Sequence, residues 1–138
     1  KRGVSIAADN ASVVINSSEI VARYYGVTVG ASGVELSVNG GTVQGWAAIM
    51  FTANDWTVDR IKSNKGAVVN AQGAELVGRS ISDEGYGIVV VQQDYNGAEL
   101  TFTDCTMLTT VEDGKTGRYC RPLVRQQNLR KRRLYRKQ

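Results

Sequence analysis

Histidine is absent from this 138-residue chain, proline occurs once, at Pro122, and cysteine twice, at Cys105 and Cys120. The missing imidazole removes the commonest general base and metal ligand, and two cysteines alone cannot make a zinc site. Proline cannot donate to a strand ladder, so its near-absence suits strands hydrogen-bonded on both sides. No apolar run approaches the roughly 18 residues of a membrane span, so no span is expected. The opening "KRGVSIAADN" carries two leading charges, but its apolar run is short and broken by Ser5. That is too little for the hydrophobic region of a signal peptide, and none is visible. The chain begins without Met, as a mature form or an excised piece would.

What is present fits one modest domain, with 42% apolar and 22% charged residues. Charge is unevenly placed. Residues 1–114 hold seven Lys or Arg against thirteen Asp or Glu, a net of −6, whereas residues 115–138 hold ten cations and no acid. Such asymmetry separates a body, residues 1–113, from a basic interaction tail, residues 114–138.

Within the body, "GAEL" occurs twice, at Gly73 to Leu76 and at Gly97 to Leu100. Aligning the alternating apolar segments puts Val13, Leu36, Val58, Leu76 and Leu100 in one series with steps of 23, 22, 18 and 24 residues. A second series, Val27, Ile49, Val68 and Ile88, steps by 22, 19 and 20 residues. Two series sharing one period of roughly 20 residues predict a solenoid in which GAEL marks the same place in successive coils. Apolar and polar residues alternate within each unit, as in Ala98, Leu100 and Phe102 against Glu99, Thr101 and Thr103. That period of two indicates short strands, and Gly and Asn between them supply corners. An antiparallel β-sandwich also suits turns at this spacing. A leucine-rich repeat does not, because its L-x-x-L-x-L pattern is missing.

Alternating short strands, Gly/Asn corners and coils of this length resemble the right-handed parallel β-helix of pectin-lyase-like proteins. The resemblance covers about residues 4–112 and implies an all-β solenoid of about five coils followed by a disordered basic tail. It also implies an extracellular or cell-surface location. Relatives of this type include polygalacturonases, lyases and tailspike glycosidases, which need closely placed carboxylates or a calcium cage with an Arg base. Arg60-Ile61-Lys62 is similar to the R-I-K motif with which polygalacturonases hold substrate, but the accompanying N-T-D, paired-Asp and G-H-G motifs are missing. Solvated positions on a strand explain Arg60 and Lys62 as well.

Other candidate site residues follow from the register. Glu35, Glu75 and Glu99 each precede a central Leu and are expected to form one outward row, either a solvated face or a binder of calcium or a polyol. Asp55 with Asp59, and Asp83 with Glu84, are the remaining acidic pairs. Tyr24, Tyr25, Trp46, Trp56, Tyr86 and Tyr95 fall mostly at corners, where rings either pack or hold sugars. Cys105 and Cys120 either bridge, fastening the tail to the last coil, or remain free thiols; closing such a loop would contribute about 3 kcal/mol. No cofactor is expected, calcium being the one ion the carboxylates would take. The reading is a structural or carbohydrate-binding solenoid module of a surface or secreted protein. The alternative is a fragment of a pectin-lyase-like polysaccharide lyase or glycoside hydrolase. Its partners would be carbohydrate or neighbouring protein coils, with no oligomeric state implied. Uncapped coils expose pairing edges, so the chain is expected to belong to a longer protein or to be covered by a partner.

Alternation stops near Thr110, and the tail carries the cation run Arg130, Lys131, Arg132 and Arg133. Three readings stand: a disordered or accidental segment, an anion-binding tail, and a cap on the last coil. Deleting residues 115–138 separates them. If the tail is dispensable to the fold, the thermal midpoint stays within roughly 4 °C, while binding to heparin or DNA is lost. That binding should fall steeply between about 50 and 200 mM salt in the full chain as counterions are released. A large loss of stability would make the tail a cap.

Overall fold

The computed structural model describes residues 2–52, 54–55, 60–61, 65–81, 85–92 and 98–110. These residues contain strands and no helix. The first coil runs through β1 (Arg2–Ile6), β2 (Ser12–Asn16) and β3 (Glu19–Val21), and the second through β4 (Tyr25–Val29), β5 (Glu35–Asn39) and β6 (Thr42–Gly45). The third begins with β7 (Ala47–Phe51). It makes a short antiparallel excursion, β8 (Asn54–Asp55) against β9 (Arg60–Ile61), and resumes with β10 (Val68–Gln72) and β11 (Glu75–Gly78). The fourth comprises β12 (Ile88–Gln92), β13 (Glu99–Thr103) and β14 (Thr106–Thr109).

Equivalent strands stack into three parallel four-stranded sheets. Sheet A is β1-β4-β7-β12, sheet B is β2-β5-β10-β13 and sheet C is β3-β6-β11-β14. The chain is therefore an all-β parallel solenoid with three strands per coil. The described residues make four coils rather than five. Register explains the difference: Val13, Leu36, Val69 and Leu100 align in sheet B, and Ile20, Val43, Leu76 and Met107 in sheet C. Leu76 and Leu100 thus lie in different sheets. Val68 belongs to sheet B, apart from Val27 and Ile49, and Val58 lies outside the described residues.

The two GAEL segments match for a local reason. Each strand of sheets B and C other than β13, whose entry lies outside the described residues, is entered through a corner residue in left-handed backbone, three positions before its first central apolar residue. Between sheets A and B these are Asn10 (φ 56°), Gly33 (65°) and Gly66 (71°). Between sheets B and C they are Ser17 (45°), Gly40 (70°), Gly73 (60°) and Asp104 (50°). Glycine, asparagine and aspartate tolerate this region best. Gly73 is such a corner between B and C, whereas the second GAEL enters sheet B, where Ala98 follows the pattern of Ala67. One corner grammar is used twice per coil, which halves the apparent period wherever both corners carry glycine.

These corners are bonded from coil to coil. Ser17 N–H donates to Asn39 O at 2.8 Å, Gly40 N–H to Gln72 O at 2.8 Å and Gly73 N–H to Thr103 O at 2.9 Å. Inside, Leu36, Val38, Val69, Ala71, Leu100 and Phe102 of sheet B are buried and alternate with outward residues that are polar except for Val68. Sheet A differs. All five residues of β7, "AAIMF", are buried, as are Gly26 to Val29 of β4, so both faces of these two strands are covered, whereas Arg2, Gly3 and Ser5 of β1 are exposed. Parallel strands covered on both faces read as continuous apolar runs.

Two substitutions test the corner geometry. At Gly73 an added Cβ would meet nothing within 4 Å, so Gly73→Ala loses only the ease of left-handed backbone, about 1 kcal/mol. Gly41 also has a positive φ, 74°, and its Cβ would lie 2.6 Å from Ser18 N. Gly41→Ala is expected to cost clearly more, above about 2 kcal/mol in urea unfolding, because a rigid backbone must move. Equal losses would contradict the placement of these two turns.

Candidate functional site

The corner between sheets C and A collects the aromatic side chains. It is three residues long after β3 and a single residue, Trp46, after β6, so successive coils place Tyr24, Trp46 and Gly87 in one column. Backbone bonds fix that column: Trp46 N–H to Arg23 O at 3.2 Å, Ala47 N–H to Tyr24 O at 2.8 Å and Ile88 N–H to Trp46 O at 2.7 Å. The Tyr25 and Trp46 rings meet edge to face with centroids 6.4 Å apart, and Tyr24 tilts against Tyr25 at 6.3 Å. The Arg23 guanidinium carbon lies 5.3 Å from the Tyr24 ring centre, a cation-over-ring contact. Tyr24, Tyr25 and Trp46 are half-buried, Arg23 is exposed, and Tyr86, one residue before Gly87, is 39% exposed. The result is a partly open aromatic corner with a cation at its rim. Trp46 packs against the core, and its indole N–H is buried without a hydrogen-bond partner.

The expected carboxylate row is not formed. Glu35 and Glu99 do share an outward row of sheet B, Ser12–Glu35–Val68–Glu99, but Val68 separates them. Glu75 lies on sheet C, in the row Glu19–Thr42–Glu75–Thr106. The dual use of the corner grammar is the reason, since it sets a Glu before a Leu on two different sheets. Two strand spacings, about 10 Å, separate carboxylates within each row, so their mutual repulsion is screened. Acids alternate between the sheets from coil to coil: Glu19, Glu35, Glu75 and Glu99. Among the described residues no three His, Cys, Asp or Glu side chains converge to hold a metal ion.

A polar ladder ends sheet B. Asn39 Nδ2 donates to Asn16 Oδ1 at 3.0 Å, and the row continues through Gln72 and Thr103. The pattern is visible in the aligned segments "SVVIN" and "ELSVN", each closing on Asn. Cys105 carries a free, buried thiol that donates to Thr103 O at 3.5 Å. Asp55 and Arg60 are register partners on β8 and β9. Tyr95, Trp56, Asp59, Lys62, Asp83, Glu84, Cys120 and the run Arg130, Lys131, Arg132 and Arg133 lie outside the described residues. No described helix is long and apolar enough to cross a membrane.

Comparison with protein-family models, with curated proteins and with solved structures finds no match to this chain.

Two buried donors without partners give a direct test of the packing. Besides the Trp46 indole, the Thr28 hydroxyl of β4 is buried and unpaired. Thr28→Val keeps the shape and removes the unmet group, so it is expected to stabilise the fold by about 1 kcal/mol. Trp46→Phe removes the unmet N–H but also ring volume, and its loss is expected to stay below the roughly 3 kcal/mol of a cavity-forming truncation. A destabilisation above about 2 kcal/mol for Thr28→Val would mean that its hydroxyl is bonded.

Proposed function

We propose that this chain is a β-solenoid module of a surface or secreted protein that binds carbohydrate at its aromatic corner and performs no catalysis. The observation that carries the reading is the cluster of Tyr24, Tyr25 and Trp46 with Arg23 at its rim. Flat rings offer a sugar face apolar contact, while guanidinium and phenol groups supply hydrogen bonds at the edge of the same patch. Rigid neighbours hold the rings, since each corner residue is bonded through its backbone to the next coil, so little conformational freedom is lost on binding. The architectural resemblance to pectin-lyase-like proteins supports a polysaccharide as ligand and an extracellular setting. The outward faces of sheets B and C, with Glu and Asn rows at strand spacing, extend a polar surface beside the corner on which a longer chain of sugars could lie.

Tryptophan fluorescence during titration with neutral oligosaccharides and with polygalacturonate tests the proposal. Saturable binding is expected, and Tyr24→Ala should weaken it by about tenfold, some 1.4 kcal/mol, with an unchanged circular dichroism spectrum. Steady release of cleaved or unsaturated product from polygalacturonate, with or without calcium, would favour the lyase or hydrolase reading. Failure to bind any glycan would reject the site.

A further inference from the structure

Arg23 is not the only cation at the aromatic corner. The residues that leave sheet C in three successive coils are Arg23 with Tyr24, then Trp46, then Arg79, and backbone bonds fix their order: Trp46 N–H donates to Arg23 O at 3.2 Å and Arg79 N–H to Gly45 O at 2.7 Å. Arg23 and Arg79 therefore stand on opposite sides of Trp46 along the solenoid axis. Their backbones are two strand spacings apart, about 10 Å, and both side chains are exposed and long enough to bring a guanidinium towards the middle coil. Arg2, the exposed register partner of Tyr25, adds a third cation to the same border.

The neighbouring strands carry the opposite charge. Those of sheets B and C hold Glu19, Glu35, Glu75 and Glu99 and no Lys or Arg. Glu19 and Glu75 lie four residues before Arg23 and Arg79, about 13 Å along the chain and beyond the screening length of about 8 Å in physiological salt. They leave the corner positive. A neutral sugar pressed onto the rings would strip water from the flanking guanidinium groups and return no charge, whereas a carboxylate or sulfate would pair with them. A chain acidic at every sugar fits less well. Wherever it extends from the corner over sheets B and C it meets the glutamates, and like charges oppose it.

We infer that the aromatic corner selects a glycan carrying an isolated acidic group, a carboxylate or sulfate on one sugar with neutral neighbours, and that Arg79 together with Arg23 sets this preference. The acidic sugar lies between the two guanidinium groups beside Trp46, and the neutral ones continue over the Glu and Asn rows. The inference rests on the carbohydrate reading of this corner and adds the charge and spacing of its ligand.

Titrating the full chain with lactose, sialyllactose, sulfated lactose and polygalacturonate at equal ionic strength, read by tryptophan fluorescence, tests it. At least one singly charged sugar is expected to bind about tenfold tighter than lactose, and which one gains tells carboxylate from sulfate. Polygalacturonate should bind no tighter per site than that sugar. The advantage over lactose should shrink as salt rises and fall in Arg79→Gln, and it should vanish when Arg23→Gln is added, with an unchanged circular dichroism spectrum. Lys65→Gln, a cation removed at the corner between sheets A and B, should leave the preference intact. Lactose bound as tightly as both charged sugars, a preference that survives loss of both arginines, or polygalacturonate bound tightest would each overturn this inference while leaving a carbohydrate site at the corner. Failure of every sugar to bind would overturn both.

Discussion

The backbone hydrogen bond from each left-handed corner to the next coil is the constraint on which the rest of the structure depends. Ser17, Gly40 and Gly73 each turn the chain between sheets B and C and hand an N–H to the end of the following coil's sheet B strand. The turn cannot open without losing that bond, and the bond cannot form unless the residue accepts positive φ. Corner conformation, strand register and inward apolar position are thereby tied together. A shift of one residue would send Leu36 or Leu76 outwards and strand the corner N–H.

That linkage also explains where the chain tolerates extra length. The B-to-C corner has the same short length in every coil, so the central apolar residues of the two sheets advance in unison. Val13, Leu36, Val69 and Leu100 of sheet B are each followed at one constant offset by Ile20, Val43, Leu76 and Met107 of sheet C. All additional length falls at corners flanking sheet A: before β10, where β8 and β9 lie, and before β12. Sheet A is covered on both faces at β4 and β7 and holds the aromatic corner at one border. A rigid B–C wall thus carries a variable border, the arrangement by which scaffolds hold binding groups on connecting segments.

Fold class was legible because two signals agree, alternation within strands and recurrence between them. The coil count was not, because the same G-x-x-apolar corner enters both sheets and makes Leu76 look equivalent to Leu100. Unequal insertions before Val69 and Val90 concealed the true steps. The carboxylate row of Glu35, Glu75 and Glu99 failed with the register that generated it. The aromatic corner was half legible: Tyr24, Tyr25 and Trp46 stood out as corner residues, but their assembly and the placing of Arg23 depend on a one-residue corner that no pattern announces.

Distances between strand protons measured by nuclear Overhauser spectroscopy test the stacked-corner architecture most directly. Parallel pairing in the register set by the corners gives contacts linking Val13 to Leu36, Leu36 to Val69 and Val69 to Leu100, with Leu76 in contact with Val43 and Met107. Close Hα–Hα pairs between strands adjacent in sequence other than β8 and β9, or contacts joining Leu76 directly to Leu100 as sheet neighbours, would contradict it.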